Sequence, residues 1–261
     1  MSEEINTNQT RRTFMKQLSA LGILGGVSAA GLGVAWKLNA AEDDLLRPPG
    51  AVSEKEFMAL CIKCGQCLQV CPYDAIRLAD IWQGNAIGTP FIEPLRRGCY
   101  LCGLLPCVLA CPSGALDHRI DDVKEVHMGV AEVIKLSDCL AMDNTPVDQD
   151  ALVRVYENSH TVRTYELKAL KLDSIDAPSE KRELEEKVIR KMEKFPGHGC
   201  TICTDMCPLP NAFDAIALEE NGQGGKRPVI KDACVGCGVC VELCPKSVLT
   251  IRPRKLLKER T

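Results

Sequence analysis

Residues 61–72 read CIKCGQCLQVCP, in which gaps of two, two and three residues separate four cysteines and a proline follows the last. Groups beginning at Cys99 and Cys234 repeat this plan, although the second group has a four-residue gap before Cys107. Another group, from Cys200 to Cys207, lacks a first cysteine, since Gly197 stands where one would fall. Cysteines grouped in this way are typical ligands of metal centres. The cysteines are Cys61, Cys64, Cys67, Cys71, Cys99, Cys102, Cys107, Cys111, Cys139, Cys200, Cys203, Cys207, Cys234, Cys237, Cys240 and Cys244.

The spacing of the groups predicts a fourfold internal repeat with one interruption. The first cysteines at positions 61 and 99 are 38 residues apart, and Cys139 follows Cys99 by 40. Cys139 therefore takes the place of the missing first cysteine of the third group, which an insertion separates from Cys200. Each repeat is predicted to contain a strand, a cysteine loop, a short helix and a second strand. The proline after the fourth cysteine suits the first position of that helix. This pattern predicts an α+β fold.

Composition narrows the classes of function. The chain has 261 residues, a formal charge of −3, 46% hydrophobic residues and only 4% aromatic residues. Such a balance offers no broad basic surface for nucleic acid and fits one or two globular domains. The sequence has no Ser-His-Asp set, phosphate-binding glycine loop or dinucleotide fingerprint, so we expect no catalytic site.

Iron–sulfur clusters explain the cysteine groups better than three alternatives do. In the ferredoxin pattern, three cysteines bind one cluster and the cysteine before proline binds the other cluster of a pair. Cysteines two residues apart are poorly placed to form a disulfide with each other, and zinc ribbons use only two such pairs for each ion. No histidine follows any Cys-x2-Cys pair, which argues against covalent haem. We therefore expect four [4Fe–4S] clusters with all sixteen cysteines as ligands.

The amino terminus resembles a twin-arginine export signal. Arg11 and Arg12 precede Phe14 and Lys16, and a Gly/Ala-rich apolar run follows at 18–38. Twin-arginine export carries folded proteins, which suits a cofactor inserted during folding. We therefore expect a periplasmic protein, with a retained membrane anchor or an ordinary basic leader as the alternatives.

With this signal, the four cysteine groups and the four-residue gap, the chain resembles the ferredoxin-type NapG/MauM family. The resemblance implies tandem bacterial-ferredoxin-like βαβ units that carry electrons through four [4Fe–4S] clusters. It also implies a membrane ferredoxin-type quinol dehydrogenase, similar to NapH, as the electron donor. Electrons would then pass towards the periplasmic nitrate reductase or its cytochrome.

With the four-residue gap in its second group, the chain also resembles the four-cluster subunits of molybdopterin oxidoreductases of the dimethyl sulfoxide reductase type. The alternative function is therefore that of an electron-transfer subunit in such a complex. A cluster-containing assembly factor is a third class. The molybdoenzyme resemblance implies nested pairing of the first group with the fourth and of the second with the third, which we favour, whereas pairing of adjacent groups is the alternative. The nested ligand sets are Cys61, Cys64, Cys67 and Cys244; Cys234, Cys237, Cys240 and Cys71; Cys99, Cys102, Cys107 and Cys207; and Cys139, Cys200, Cys203 and Cys111.

The segments between and around the groups complete the predicted organisation. In the insertion, alternating stretches at 152–156 and 161–165 predict a hairpin, and residues 179–195 predict an amphipathic helix. This helix either packs on the cluster domain or docks a redox partner. The basic tail is either solvated or in contact with anionic lipid or an acidic partner, which leaves peripheral membrane association open. The predicted segments are 1–41 (export signal), 42–139 (repeats 1 and 2 and the start of repeat 3), 140–199 (insertion), 200–251 (the rest of repeat 3 and repeat 4) and 252–261 (basic tail).

Overall fold

The computed structural model describes residues 45–157 and 179–254, in which short helices alternate with two-stranded sheets. Among the described residues, 80–87 belong to one compact unit and the others belong to a second, larger unit. The predicted export signal, the second strand of the predicted hairpin and residues 255–261 lie outside the described residues. Within the described ranges, no helix combines the length and the apolar character needed to cross a membrane.

The larger unit contains seven α-helices and six strands among its described residues, joined by turns and short 3-10 segments. The unit 80–87 contains a 3-10 segment, Ile81–Ala86, whose N-cap Asp80 accepts a hydrogen bond from the amide of Trp82. In chain order the elements of the larger unit are α1 (Glu54–Leu60), α2 (Gln66–Gln69), β1 (Ile76–Leu78), β2 (Pro90–Ile92), α3 (Pro106–Leu109), β3 (Gly129–Val133), α4 (Asp150–Glu157), α5 (Ser179–Met192), α6 (Ile202–Asp205), β4 (Ile216–Glu220), β5 (Lys226–Ile230), α7 (Val239–Glu242) and β6 (Leu249–Pro253).

The first two cysteine groups lie in a region that we call the first half, residues 45–79 and 88–117. Strands β1 and β2 join these groups as an antiparallel pair, with Ile76 opposite Ile92. The chain segments that enter and leave this half also meet in antiparallel fashion, at Ala51 and Leu116. The first half is therefore closed by pairing between its beginning and its end.

The third and fourth cysteine groups lie in the second half, residues 129–139 and 200–254, which repeats this arrangement. Strands β4 and β5 pair between the two groups, and β3 pairs with β6 at the ends, with Ala131 opposite Ile251. Gly222, Gly224 and Gly225 lie in the turn of the β4–β5 hairpin. Gly222 and Gly224 have positive φ angles of 75° and 85°, which glycine adopts without a Cβ clash. Each half therefore joins two adjacent cysteine groups.

The short helix of each cysteine group lies before the fourth cysteine, whereas the sequence predicts it after this cysteine. Each four-residue helix, α2, α3, α6 and α7, contains one cysteine and ends before the cysteine that precedes proline. Gly65 and Gly238, with positive φ, begin two of these helices, while Pro72 lies in a turn. The expectation that the Cys-Pro step opens the helix is wrong, because the residues after it fold back towards the cysteine sulfur. The amide of Ala75, for example, donates to Cys71 Sγ over 3.4 Å.

The insertion contains two helices in its described part. Residues 152–156 belong to helix α4, so the predicted hairpin is wrong at its first strand. Their alternation is compatible with a helix because Ala151 and Val155, four residues apart, are both buried. The predicted amphipathic helix is confirmed as α5, which buries Val188 and Met192 against the main core. At the root of the insertion, Val147 bonds through its backbone to Gly197 and His198.

The sequence predicts that the basic tail begins at residue 252, but residues 252 and 253 belong to a strand. Strand β6 continues to Pro253, and Arg252 pairs with Glu132 on the neighbouring strand β3. Arg252 is therefore part of a strand pair and not of a free end.

Candidate metal centres

The structure gathers the cysteines predicted as ligands into four sets of four thiols, and all sixteen are free. In the first set, Cys67 lies near Cys61, Cys64 and Cys111. Burial raises the pKa of Cys67 to about 11, the amide of Leu68 lowers it, and the three neighbouring thiols raise it further. The fourth member of this set, Cys111, comes from the second cysteine group.

The second set surrounds a recess of about 360 Å³ and consists of Cys71, Cys99, Cys102 and Cys107. Burial raises the pKa of Cys107 to about 12, and proximity to Cys71, Cys102 and Cys67 raises it further, while the amide of Val108 lowers it. Here the fourth member, Cys71, comes from the first cysteine group.

The other two sets line recesses of about 390 and 340 Å³ in the second half. Burial and neighbouring thiols raise the pKa of Cys203 to about 12, although Thr204 lowers it. The same two causes raise the pKa of Cys237 to about 12, although the amide of Val239 lowers it. The third set is Cys139, Cys200, Cys203 and Cys244, and the fourth set is Cys207, Cys234, Cys237 and Cys240.

These sets contradict the nested pairing that we favoured. Cys244 lies with the third group and not with Cys61, and Cys111 lies with the first group and not with Cys139. Adjacent groups exchange their fourth cysteines because each half closes on itself through its own strand pairs. The observation that decides the pairing is this tertiary contact, which the cysteine spacing does not report.

The sets have the donor chemistry that iron–sulfur clusters need. Backbone amides of Leu116 and Ala131 donate to Cys111 Sγ and Cys234 Sγ over 3.4 Å, as Ala75 does to Cys71. Hydrogen bonds of this kind stabilise negative charge on sulfur. Burial, in contrast, raises the pKa of most of these thiols, so a cationic metal centre is what would hold them as thiolates. Sets of four soft thiolates that line a common recess therefore fit [4Fe–4S] clusters.

Sites for a single metal ion differ from cluster sites, because their ligands converge on one point. Within residues 45–157 and 179–254, no three His, Cys, Asp or Glu side chains converge in the way that ligands of one metal ion do. His118 instead lies with its Nε2 2.8 Å from the carbonyl oxygen of Cys111. His198 lies with its Nδ1 3.2 Å from the carbonyl oxygen of Pro196.

The structure also contains a buried group of charges that the sequence analysis missed. Arg97 contacts Glu185 Oε1 through Nη2 at 2.6 Å and Glu242 Oε1 through Nη1 at 3.3 Å. The three side chains are exposed by 3%, 5% and 0% respectively. Burial raises the pKa of Glu242 to about 7, although Arg97, the amide of Gly98 and the hydroxyl of Tyr100 lower it. A sequence signal was present, since Arg97 and Glu242 each lie two residues from a cysteine, but charged residues are common there.

Comparison with protein families gives two matches to one model. The model describes a 4Fe-4S dicluster domain and matches residues 60–115 and 198–254. Each match spans two adjacent cysteine groups, as do the two halves of the structure. The second match begins at residue 198, at the very end of the insertion.

Several characterised proteins are similar to the chain over nearly its whole length. The "Methylamine utilization ferredoxin-type protein MauM" of Paracoccus denitrificans is 32% identical, over 95% of this chain and 89% of the relative. MauM of Methylorubrum extorquens is 30% identical, over 97% and 89%. The "Ferredoxin-type protein NapG" of Escherichia coli is 28% identical, over 99% and 92%. No solved structure matches the chain significantly.

Proposed function

The chain belongs to the NapG/MauM family of ferredoxin-type iron–sulfur electron-transfer proteins, and we propose that it carries four [4Fe–4S] clusters in two ferredoxin-like halves. The four sets of four thiols carry this proposal. Each set would hold one cluster, whose chemistry when bound is the reversible gain and loss of one electron. The protein supplies the cysteine ligands, the amides that donate to sulfur, and a buried environment that excludes water.

We further propose a place in an electron-transfer chain. The electrons come from a membrane ferredoxin-type quinol dehydrogenase similar to NapH and pass towards a periplasmic nitrate reductase or its cytochrome. The full-length similarity to proteins named NapG supports this route. Relatives named for methylamine utilization match equally far along the chain, so the acceptor needs its own test. The alternative role as a subunit of a molybdopterin oxidoreductase is not favoured by any of these relatives.

Metal analysis of anaerobically purified protein tests the cluster content. We expect about sixteen iron and about sixteen sulfide per chain, since each cubane has four of each, and low-temperature EPR signals after reduction by dithionite. About eight iron, or clusters that dithionite does not reduce reversibly, would contradict four redox centres. The same reduced protein, freed of dithionite and mixed with purified periplasmic nitrate reductase, its cytochrome and nitrate, should be reoxidised. If it stays reduced, the proposed acceptor is wrong, whatever the iron count.

A double substitution tests the proposed export by the twin-arginine pathway. Arg11→Lys with Arg12→Lys retains the positive charge but removes the arginine pair that defines the signal. We expect the variant to accumulate in the cytoplasm, as measured by cell fractionation and immunoblotting. The matched control, Glu4→Gln, changes a nearby charge outside the motif and should leave export intact. Export of the double variant at the normal level would refute the assignment.

A further inference from the structure

The two halves meet at the backbone of the second and fourth thiol sets. The amide of Cys99 donates to the carbonyl oxygen of Cys237 over 2.7 Å. A Cβ added to Gly98 would lie 2.5 Å from the backbone nitrogen of Val239, so the two backbone segments can approach this closely because residue 98 is glycine. The pKa of Cys99 is raised well above its usual value by burial, and Cys107 and Cys237 add to this rise. The second and fourth sets are therefore neighbours.

The exchange of fourth cysteines also defines the order of all four sets. Cys71 of the second set follows Cys67 of the first by only four residues. Cys207 of the fourth set follows Cys203 of the third by the same number. Together with the Cys99–Cys237 contact, these connections give the order first, second, fourth, third. This order differs from the order of the groups in the sequence.

The buried charges span the junction between the halves. Arg97 belongs to the first half and Glu242 to the second, and Glu242 Oε2 also accepts a hydrogen bond from the amide of Gly98 at 2.7 Å. The third charge, Glu185, comes from helix α5 of the insertion. Loss of one partner from such a group leaves another charge buried without full compensation, which is strongly destabilising.

Helix α5 contacts the first half although the chain leaves and re-enters the second half on either side of the insertion. Lys181 Nζ lies 2.6 Å from Asp74 Oδ1, next to the first cysteine group. One turn further along α5, Glu185 reaches Arg97. Helix α5 therefore makes two ion pairs with the first half, although both ends of the insertion join the second half.

We propose that helix α5 is a strap that fastens the second half to the first, and that Lys181 and Glu185 are positioning residues for electron transfer between the second and fourth sets. This inference deepens the proposed function and depends on it. The strap holds the junction at Cys99 and Cys237, which is the single step that connects the two pairs of centres in the observed order. Electron transfer between two centres slows as the distance between them grows, so a strap that fixes this junction has a direct consequence for electron flow.

Distances between spin labels test the strap without measuring activity. Lys55→Cys in α1 and Lys226→Cys in β5 place one exposed cysteine in each half. Nitroxide labels on these two cysteines, in protein with all clusters bound and oxidised, give an interhalf distance distribution by pulsed EPR. In this background, Glu185→Ala should lengthen the mean distance and widen the distribution. Glu186→Ala is the matched control, because Glu186 is exposed on the same helix and pairs with Arg190, and should leave both unchanged.

The outcomes separate this inference from the proposed function. Iron analysis and dithionite reduction of the labelled parent establish first whether the four centres are present. With the iron retained, a widened distribution in Glu185→Ala supports the strap, and an unchanged distribution overturns it. If Glu185→Ala loses iron, Lys181→Met replaces it, since this change removes the partly buried ion pair to Asp74 and leaves the buried Arg97, Glu185 and Glu242 intact. An unchanged distribution in Lys181→Met then overturns the proposal, and a wider one supports it.

Discussion

Removal of iron from the purified protein is expected to abolish its cooperative thermal unfolding transition. Three two-stranded sheets, four helices of four residues and the seven-residue helix α1 form both halves, and isolated elements of this length are marginal in water. Cysteines such as Cys67, Cys99 and Cys237 belong to the main hydrophobic core, so the clusters would link core segments covalently. For structural zinc in small domains, metal binding contributes about 10–16 kcal/mol of folding free energy. We expect the folding free energy of this protein to depend on cluster binding to a comparable extent.

Circular dichroism at increasing temperature, before and after anaerobic treatment with an iron chelator, measures this effect. The untreated protein should unfold in one sharp step, and the treated protein should show a shallow change without a transition. Reconstitution with iron and sulfide serves as the control and should restore the step. A treated protein that keeps its sharp transition would show that packing alone maintains the fold.

The sequence predicts the ligand groups well because cluster binding constrains cysteine spacing over a few residues. Cys139 illustrates the strength of this signal, since its distance from Cys99 assigned it to the third group across an insertion of about sixty residues. In the structure, Cys139 lies with Cys200 and Cys203, as this register requires. Local spacing and repeat length were sufficient for this part of the site.

The pairing of the groups could not be predicted in the same way, because it depends on which strands close each half. Cys111 and Cys244 occupy equivalent places in their groups, and their spacing would be the same in either scheme. The deciding contacts, Ala51 with Leu116 and the β3–β6 pair, involve residues far apart in the chain. The favoured nested scheme failed because it rested on resemblance in one gap of the second group.

The insertion shows a different limit of sequence analysis. The run at 152–156 alternates between apolar and polar residues, which favours a strand, yet the same residues form helix α4. Packing against α5 decides the outcome, and the buried Val155 contributes to that face. Glu185 is a second example, because a glutamate on a polar helix ordinarily faces solvent. The buried Arg97 of the first half, which pairs with it, accounts for a glutamate at this position.

Thiol footprinting of ligand variants is expected to separate adjacent from nested pairing completely. Cys111→Ser removes one ligand of the first set, so this set should lose its cluster and the protein about four of about sixteen iron atoms. The three remaining thiols, Cys61, Cys64 and Cys67, should then react with iodoacetamide in the folded protein, since thiols freed from a metal become available nucleophiles. Mass spectrometry of proteolytic peptides identifies the modified residues. Nested pairing predicts modification of Cys139, Cys200 and Cys203 instead.

The equivalent variant in the second half, Cys207→Ser, supplies the matched control. Adjacent pairing predicts that it exposes Cys234, Cys237 and Cys240, whereas nested pairing predicts modification of the three thiols that begin with Cys99. The two variants lose the same amount of iron under both schemes, so only the identity of the modified cysteines distinguishes them. Modification confined to the half that carries the substitution supports two self-contained pairs of centres. Modification in the opposite half would mean that the exchange of fourth cysteines crosses the junction, and the order of centres inferred from Cys99 and Cys237 would fall with it.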